Sequence, residues 1–72
     1  MTLEIKVNGE QLQIDQIHIK PNLEVIIENL GYNIELVVAE YNGLIIPRSQ
    51  WKHTEVHNND NLEIVTIVGG GS

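Results

Sequence analysis

The chain closes on Val68-Gly69-Gly70-Gly71-Ser72, a glycine run that follows directly on an apolar, strand-like segment. A terminus without side chains can be threaded into another protein's narrow active site, because no Cβ blocks the approach. Four extended residues reach at most about 14 Å, enough to deliver a terminal carboxylate into a partner's catalytic pocket. The competing reading is a frayed end or a flexible linker, for which Gly-Gly-Gly-Ser is ordinary material. The other chemistry-bearing side chains offer less. His53 and His57 are four apart, a spacing that would put two imidazoles on one helix face. With no third ligand, and with Asn58 and Asn59 following, the sequence predicts no metal site. His18, between Ile17 and Ile19, reads as a solvent-facing residue ahead of the helix. The absence of cysteine removes disulfides, thiolate metal sites and a cysteine nucleophile. Nothing places a nucleophile beside a base, so an enzyme is not expected.

The tail needs a rigid body to present it, and the elements of one are legible. Leu3, Ile5 and Val7 alternate with polar residues, the period of a half-buried strand. Asn8-Gly9 then supplies two residues tolerant of positive φ, as a type I′ hairpin turn requires. A turn there sets Ile5 opposite Leu12 and Leu3 opposite Ile14, so the apolar faces coincide. Pro21-Asn22 reads as a helix start, with Asn22 as N-cap and Glu24 facing the positive end of the dipole. Leu23, Ile26, Ile27 and Leu30 form one apolar stripe, and Gly31 supplies a left-handed stop.

Residues 36–41 carry apolar side chains of both parities, which predicts an interior strand buried on both faces. Asn42-Gly43 turns the chain into Leu44-Ile45-Ile46, which Pro47 ends because it cannot donate to a ladder. Residues 48–52 predict a single helical turn carrying Trp51, whose indole should close one end of the core. Residues 54–57 could form a short edge strand, and Asn58-Asn59-Asp60-Asn61 a tight polar turn. Residues 62–68 read as the last strand, again interior. A hairpin, a helix and further strands in this order predict an α+β fold, the β-grasp (ubiquitin-like) roll, with one main helix packed on a mixed sheet. The expected division is a folded domain over residues 1–68 and a flexible glycine tail over 69–72.

Composition bounds the partners. Seventy-two residues make one domain with a small core, and with no phenylalanine that core must be aliphatic. Ten acidic residues against four basic ones give a net charge of −6, which repels nucleic acid and anionic membranes and favours partners with basic docking surfaces. The glutamates are scattered, as on a solvated surface. No signal-peptide or membrane-span pattern is present, so a cytoplasmic protein, monomeric on its own, is expected.

Three stretches taken together resemble the ThiS family of sulfur carriers: Asn42 through Trp51 with its Ile46-Pro47-Arg48 core, the Asn59-Asp60-Asn61-Leu62-Glu63-Ile64 turn and strand, and Val68-Gly69-Gly70-Gly71. The resemblance covers the whole chain and implies a β-grasp fold and no chemistry of its own. It implies that the terminal glycine carboxylate of the Gly70-Gly71 pair is adenylated by a ThiF-like enzyme using ATP and Mg²⁺, then converted to a thiocarboxylate with sulfur from a donor enzyme. A ThiG-like thiazole synthase would take that sulfur for the thiazole ring of thiamine. It implies no bound cofactor, and cytoplasm or plastid stroma as the location. The family ends on its diglycine, whereas Ser72 follows here. Ser72 is then a cloning remnant, a residue trimmed before activation, or a mark of lost carrier function. The alternatives are a carrier of the molybdopterin synthase small-subunit type, whose chains tend to be longer with phenylalanine near the end, and a ubiquitin-like interaction or modifier module without a sulfur role. For partner contact the sequence offers Ile45 and Val65 on the sheet. Arg48 either touches a partner or pairs with a nearby carboxylate.

Overall fold

A computed structural model of the chain describes residues 2–15 and 20–67. Strands β1 (Leu3–Val7) and β2 (Glu10–Ile14) form the first hairpin, followed by helix α1 (Leu23–Asn29). Strands β3 (Val37–Tyr41) and β4 (Leu44–Ile46) form the second hairpin, a 3-10 turn spans Arg48–His53, and β5 (Asn61–Thr66) ends the fold. The sheet order is β2-β1-β5-β3-β4. The β1–β5 pairing at its centre is parallel, and the other pairings are antiparallel. This is the mixed five-stranded sheet with one helix expected of a β-grasp roll.

Local chemistry explains each element. Asn8 and Gly9 take φ of 50° and 85°, and Asn42 and Gly43 take 50° and 89°, so both hairpins use left-handed central pairs. The first hairpin has the register read from the sequence, Leu3 opposite Ile14 and Ile5 opposite Leu12. The Asn22 side chain accepts the Val25 N–H at 2.9 Å and caps α1. At the other end Gly31, at φ 94°, donates to the Glu28 carbonyl while Tyr32 donates to that of Ile27. These two bonds form a Schellman motif that satisfies the last carbonyls. A helix of seven residues is marginal alone. It holds because Leu23, Ile26 and Ile27 are wholly buried against Ile5 and Leu62 of the sheet. Trp51, 1% exposed, closes the core from the 3-10 turn, with its indole N–H donating 2.8 Å to the Ile46 carbonyl.

Strands β3 and β5 each have a neighbour on both sides, as expected of interior strands. Burial on both faces, however, is corrected. Val37, Ala39, Leu62 and Ile64 point to the helix side and are buried, whereas Val65 on the opposite face is 62% exposed. One short helix covers one face of a sheet, and among the described residues nothing lies over the other. Residues 54–57 make only an isolated bridge, Glu55 with Asn22, rather than a strand. The last strand is shorter than expected, ending at Thr66. His18, Val68 and the tail Gly69-Gly70-Gly71-Ser72 lie outside the described residues, and so does the proposed boundary at residue 68.

Candidate functional site

The geometry of interest is where β5 leaves the fold. Strand β1 stops at Val7, paired with Leu62, while β5 runs four residues further. The gap is bridged by one side chain. The Asn8 carboxamide accepts the Ile64 N–H at 2.7 Å and donates to the Ile64 carbonyl at 3.2 Å, imitating a strand backbone for one more step. Past that point β5 is held from the β3 side, and the last bond is Ile67 N–H to the Leu36 carbonyl at 2.6 Å. The root of the glycine tail is therefore anchored on one flank.

The start of β5 is fixed by a polar hub. Asp60, mostly buried, accepts hydrogen bonds from the Tyr41 hydroxyl, the His57 backbone N–H (2.7 Å) and the Asn42 amide (3.2 Å). Burial alone would raise its pKa, but the bonds from Tyr41, His57 and Asn42 outweigh it and hold the carboxyl below the usual aspartate value. Burial first, then the hydrogen bond to Asp60 and its charge, push the Tyr41 hydroxyl well above the ordinary tyrosine value. Asn42 also accepts the Asn61 N–H at 2.8 Å, so the second hairpin and the last strand are tied by side chains as well as by the ladder. The His57 ring lies 3.6 Å from Glu55 and 3.8 Å from Asp60, at the surface, and His53 closes the 3-10 turn. Among the described residues no group of three or more histidines or carboxylates converges as a metal site would require.

The uncovered face of the sheet is apolar on the side of the tail. Register places Val38 opposite Val65, and the Ile67–Leu36 bond extends that pairing by two residues. Ile45, opposite Glu40, lies on the same face. Exposure of these side chains is 66% for Ile45, 62% for Val65, 52% for Ile67 and 47% for Leu36. The patch ends toward β1 and β2, where Glu4, Lys6, Gln11 and Gln13 carry the same face. Aliphatic side chains are thus left exposed on one face of three neighbouring strands, with Glu40 standing between Ile45 and the strand that carries Val65.

The structure thus brings Ile45 and Val65 onto one face. It does not bring Arg48 there. Arg48 opens the 3-10 turn and lines a shallow groove with Glu24, Ile34, Glu35 and Lys52. Among the described residues Arg48 forms no ion pair. Leu36, Val38 and Ile67 were missed as members of the face. The usable signal was parity, since each shares the even-spaced register of Val65 or its cross-strand partner.

Comparison with known proteins adds relatives. The model of the ThiS family matches residues 5–71. The uncharacterized protein ycf40 of Pyropia yezoensis is 34% identical over 70 residues, covering 96% of this chain and 93% of that one. A thiazole synthase of Paramagnetospirillum magneticum is 31% identical over 70 residues, which is 97% of this chain but only 21% of the synthase. Among solved structures, the crystal structure of the thiamine biosynthesis protein ThiS from Geobacter metallireducens superposes with a TM-score of 0.79 at 27% identity, covering 96% of this chain and all of that one.

Proposed function

The chain belongs to the ThiS family of thiamine-biosynthesis sulfur carriers, and on that footing we propose that it carries sulfur as a thiocarboxylate on the Gly70-Gly71 terminus. The observation that carries this reading is the family match itself, which runs from the first strand through Gly71. The fold supplies what a carrier needs: a small rigid body, a tail rooted at the end of the central strand, and an open apolar face beside that root.

A carboxylate is a poor electrophile until one of its oxygens becomes part of a good leaving group. In the proposed cycle the Gly71 carboxylate attacks the α-phosphate of ATP within a ThiF-like adenylating enzyme, and pyrophosphate leaves. ATP and Mg²⁺ belong to that enzyme. Sulfide released by a donor enzyme then attacks the acyl carbon, the C–O bond breaks and AMP departs with a proton lost from the sulfur, leaving the thiocarboxylate. A ThiG-like thiazole synthase accepts the sulfur for the thiazole ring. The synthase is supported as a partner by the Paramagnetospirillum magneticum thiazole synthase, in which a segment similar to this chain is part of the same polypeptide. This chain contributes no catalytic group to any step. It contributes a tail thin enough to enter both active sites and a surface that both enzymes hold. Cytoplasm or plastid stroma is the location that fits this role.

Intact-mass spectrometry tests it. The chain, and a version ending at Gly71, are incubated with a ThiF-like enzyme, ATP, Mg²⁺ and a sulfur source. An oxygen-to-sulfur mass increase in the Gly71 form establishes the carrier, and its absence from the Ser72 form makes Ser72 a residue to be removed first. No increase in either form overturns the proposal and leaves a ubiquitin-like interaction module.

A further inference from the structure

On the uncovered face, Glu40 of β3 and Glu63 of β5 stand directly opposite each other. Their neighbours Ala39, Leu62 and Ile64 are buried on the helix side, so both carboxylates point outward. Glu40 is half-buried and Glu63 exposed. Ile45 faces Glu40 from the other side, and Val38 and Val65 are the next pair along the same two strands. Like charges paired across strands work against the sheet. Among the described residues neither carboxylate accepts a hydrogen bond or meets a cation. Lys6 stands on the same face opposite Asn61, two residues short of Glu63, and does not ion-pair with it. The free protein therefore holds two repelling charges at the margin of an exposed apolar patch.

We propose, resting on the carrier reading, that this face docks the adenylating enzyme through an apolar surface that presents one basic side chain, an arginine by preference, between Glu40 and Glu63. Directly opposite side chains in an antiparallel pair begin about 5 Å apart at Cβ, a separation a planar guanidinium with donors on both edges can span. The aliphatic side chains around it exclude water, which strengthens the charge-assisted bonds. The other occupants fit less well. The glycine tail carries no cation and almost no apolar surface. A second copy of the same face would bring four carboxylates together on molecules each carrying a net charge of −6. A basic partner surface is also what that net charge attracts at long range.

The inference makes folding and docking respond in opposite directions. Glu40→Gln and Glu63→Gln remove repulsion in the free protein and remove a charged acceptor from the complex. The experiment uses the full chain and its Gly71-terminated form, each variant being measured for its urea midpoint, for its Kd with a ThiF-like enzyme by calorimetry, and for ATP-dependent charging. The expected result is a raised urea midpoint, affinity weakened about tenfold, a shallower loss of binding at about 0.3 M salt, and the charging defect in KM rather than kcat. Variants that dock as tightly as the parent overturn the inference while the carrier proposal stands. Variants whose binding falls together with their stability also overturn it, because the pair is then structural. A parent chain that neither binds nor is charged overturns the carrier proposal and this inference together.

Discussion

Replacing Val65 by alanine should leave the fold intact and weaken docking of the adenylating enzyme. The magnitude follows from how the side chain divides between core and solvent. Val65 is 62% exposed in the free protein, so most of its apolar surface is still available for burial in a complex. Removing two methyl groups at about 0.8 kcal/mol each would forfeit about 1 kcal/mol from the part that docking buries. That corresponds to a roughly fivefold rise in Kd. The fraction already covered in the free protein limits the loss of folding stability to about 0.6 kcal/mol. Ile45, 66% exposed on the edge strand, should show the same split more strongly, about 1.5 kcal/mol and roughly tenfold, because three carbons are lost. The assay pairs calorimetric titration of the enzyme with urea unfolding of the free variants, in which an unchanged m-value certifies the same folded and unfolded states. Unchanged affinity in both variants would refute the assignment of this face. A fall in stability larger than the fall in binding would show that the side chains serve the fold instead.

Other consequences concern the scaffold that aims the tail. Tyr41→Phe removes a donor to the ionised Asp60, which should lower stability by about 2 kcal/mol in urea titration, the worth of a bond to a charged group. Because the Tyr41 pKa is raised in the folded state, its contribution is complete below pH 10.0 and lost as pH rises beyond that, and Tyr41→Phe should flatten this alkaline loss in a stability–pH profile. The Asp60 pKa is lowered, so its contribution is complete above pH 3.8 and lost as pH falls through the lower folded value; Asp60→Asn should show a weaker acid dependence in the same profile. Asn8→Ala deletes both side-chain bonds to Ile64 and places alanine at φ 50°, which together should lower stability by about 2–3 kcal/mol by urea unfolding. Its charging by the adenylating enzyme should keep its rate well below the unfolding midpoint, since the docking face and tail are unaltered. Trp51→Phe leaves the Ile46 carbonyl without its indole donor and a gap beneath the 3-10 turn. A loss of about 2–3 kcal/mol in thermal and urea melts is expected.

Much of this protein was legible in the chain because its signals are local. Asn-Gly pairs specify left-handed turns wherever they fall, so both hairpins and the register Leu3–Ile14 follow from residues at most about a dozen apart. The Asn22 cap, the stripe from Leu23 to Leu30 and the Gly31 stop bound the helix in the same way. The Gly69-Gly70-Gly71 run lacks side chains whatever the fold. Tertiary structure decided which apolar residues are buried. Val65 and Ile64 are equally aliphatic neighbours, yet Ile64 is 5% exposed and Val65 62%, because a single short helix shields only one face of the sheet. The parallel β1–β5 pairing joins residues more than fifty positions apart, and no local pattern encodes it. That pairing sets the central strand beside β3 and so places Glu63 against Glu40 and Val65 against Val38. The sequence determined the parts and their chemistry. The assembly of the sheet determined that the tail's root, an apolar face and two opposed carboxylates share one side of the molecule.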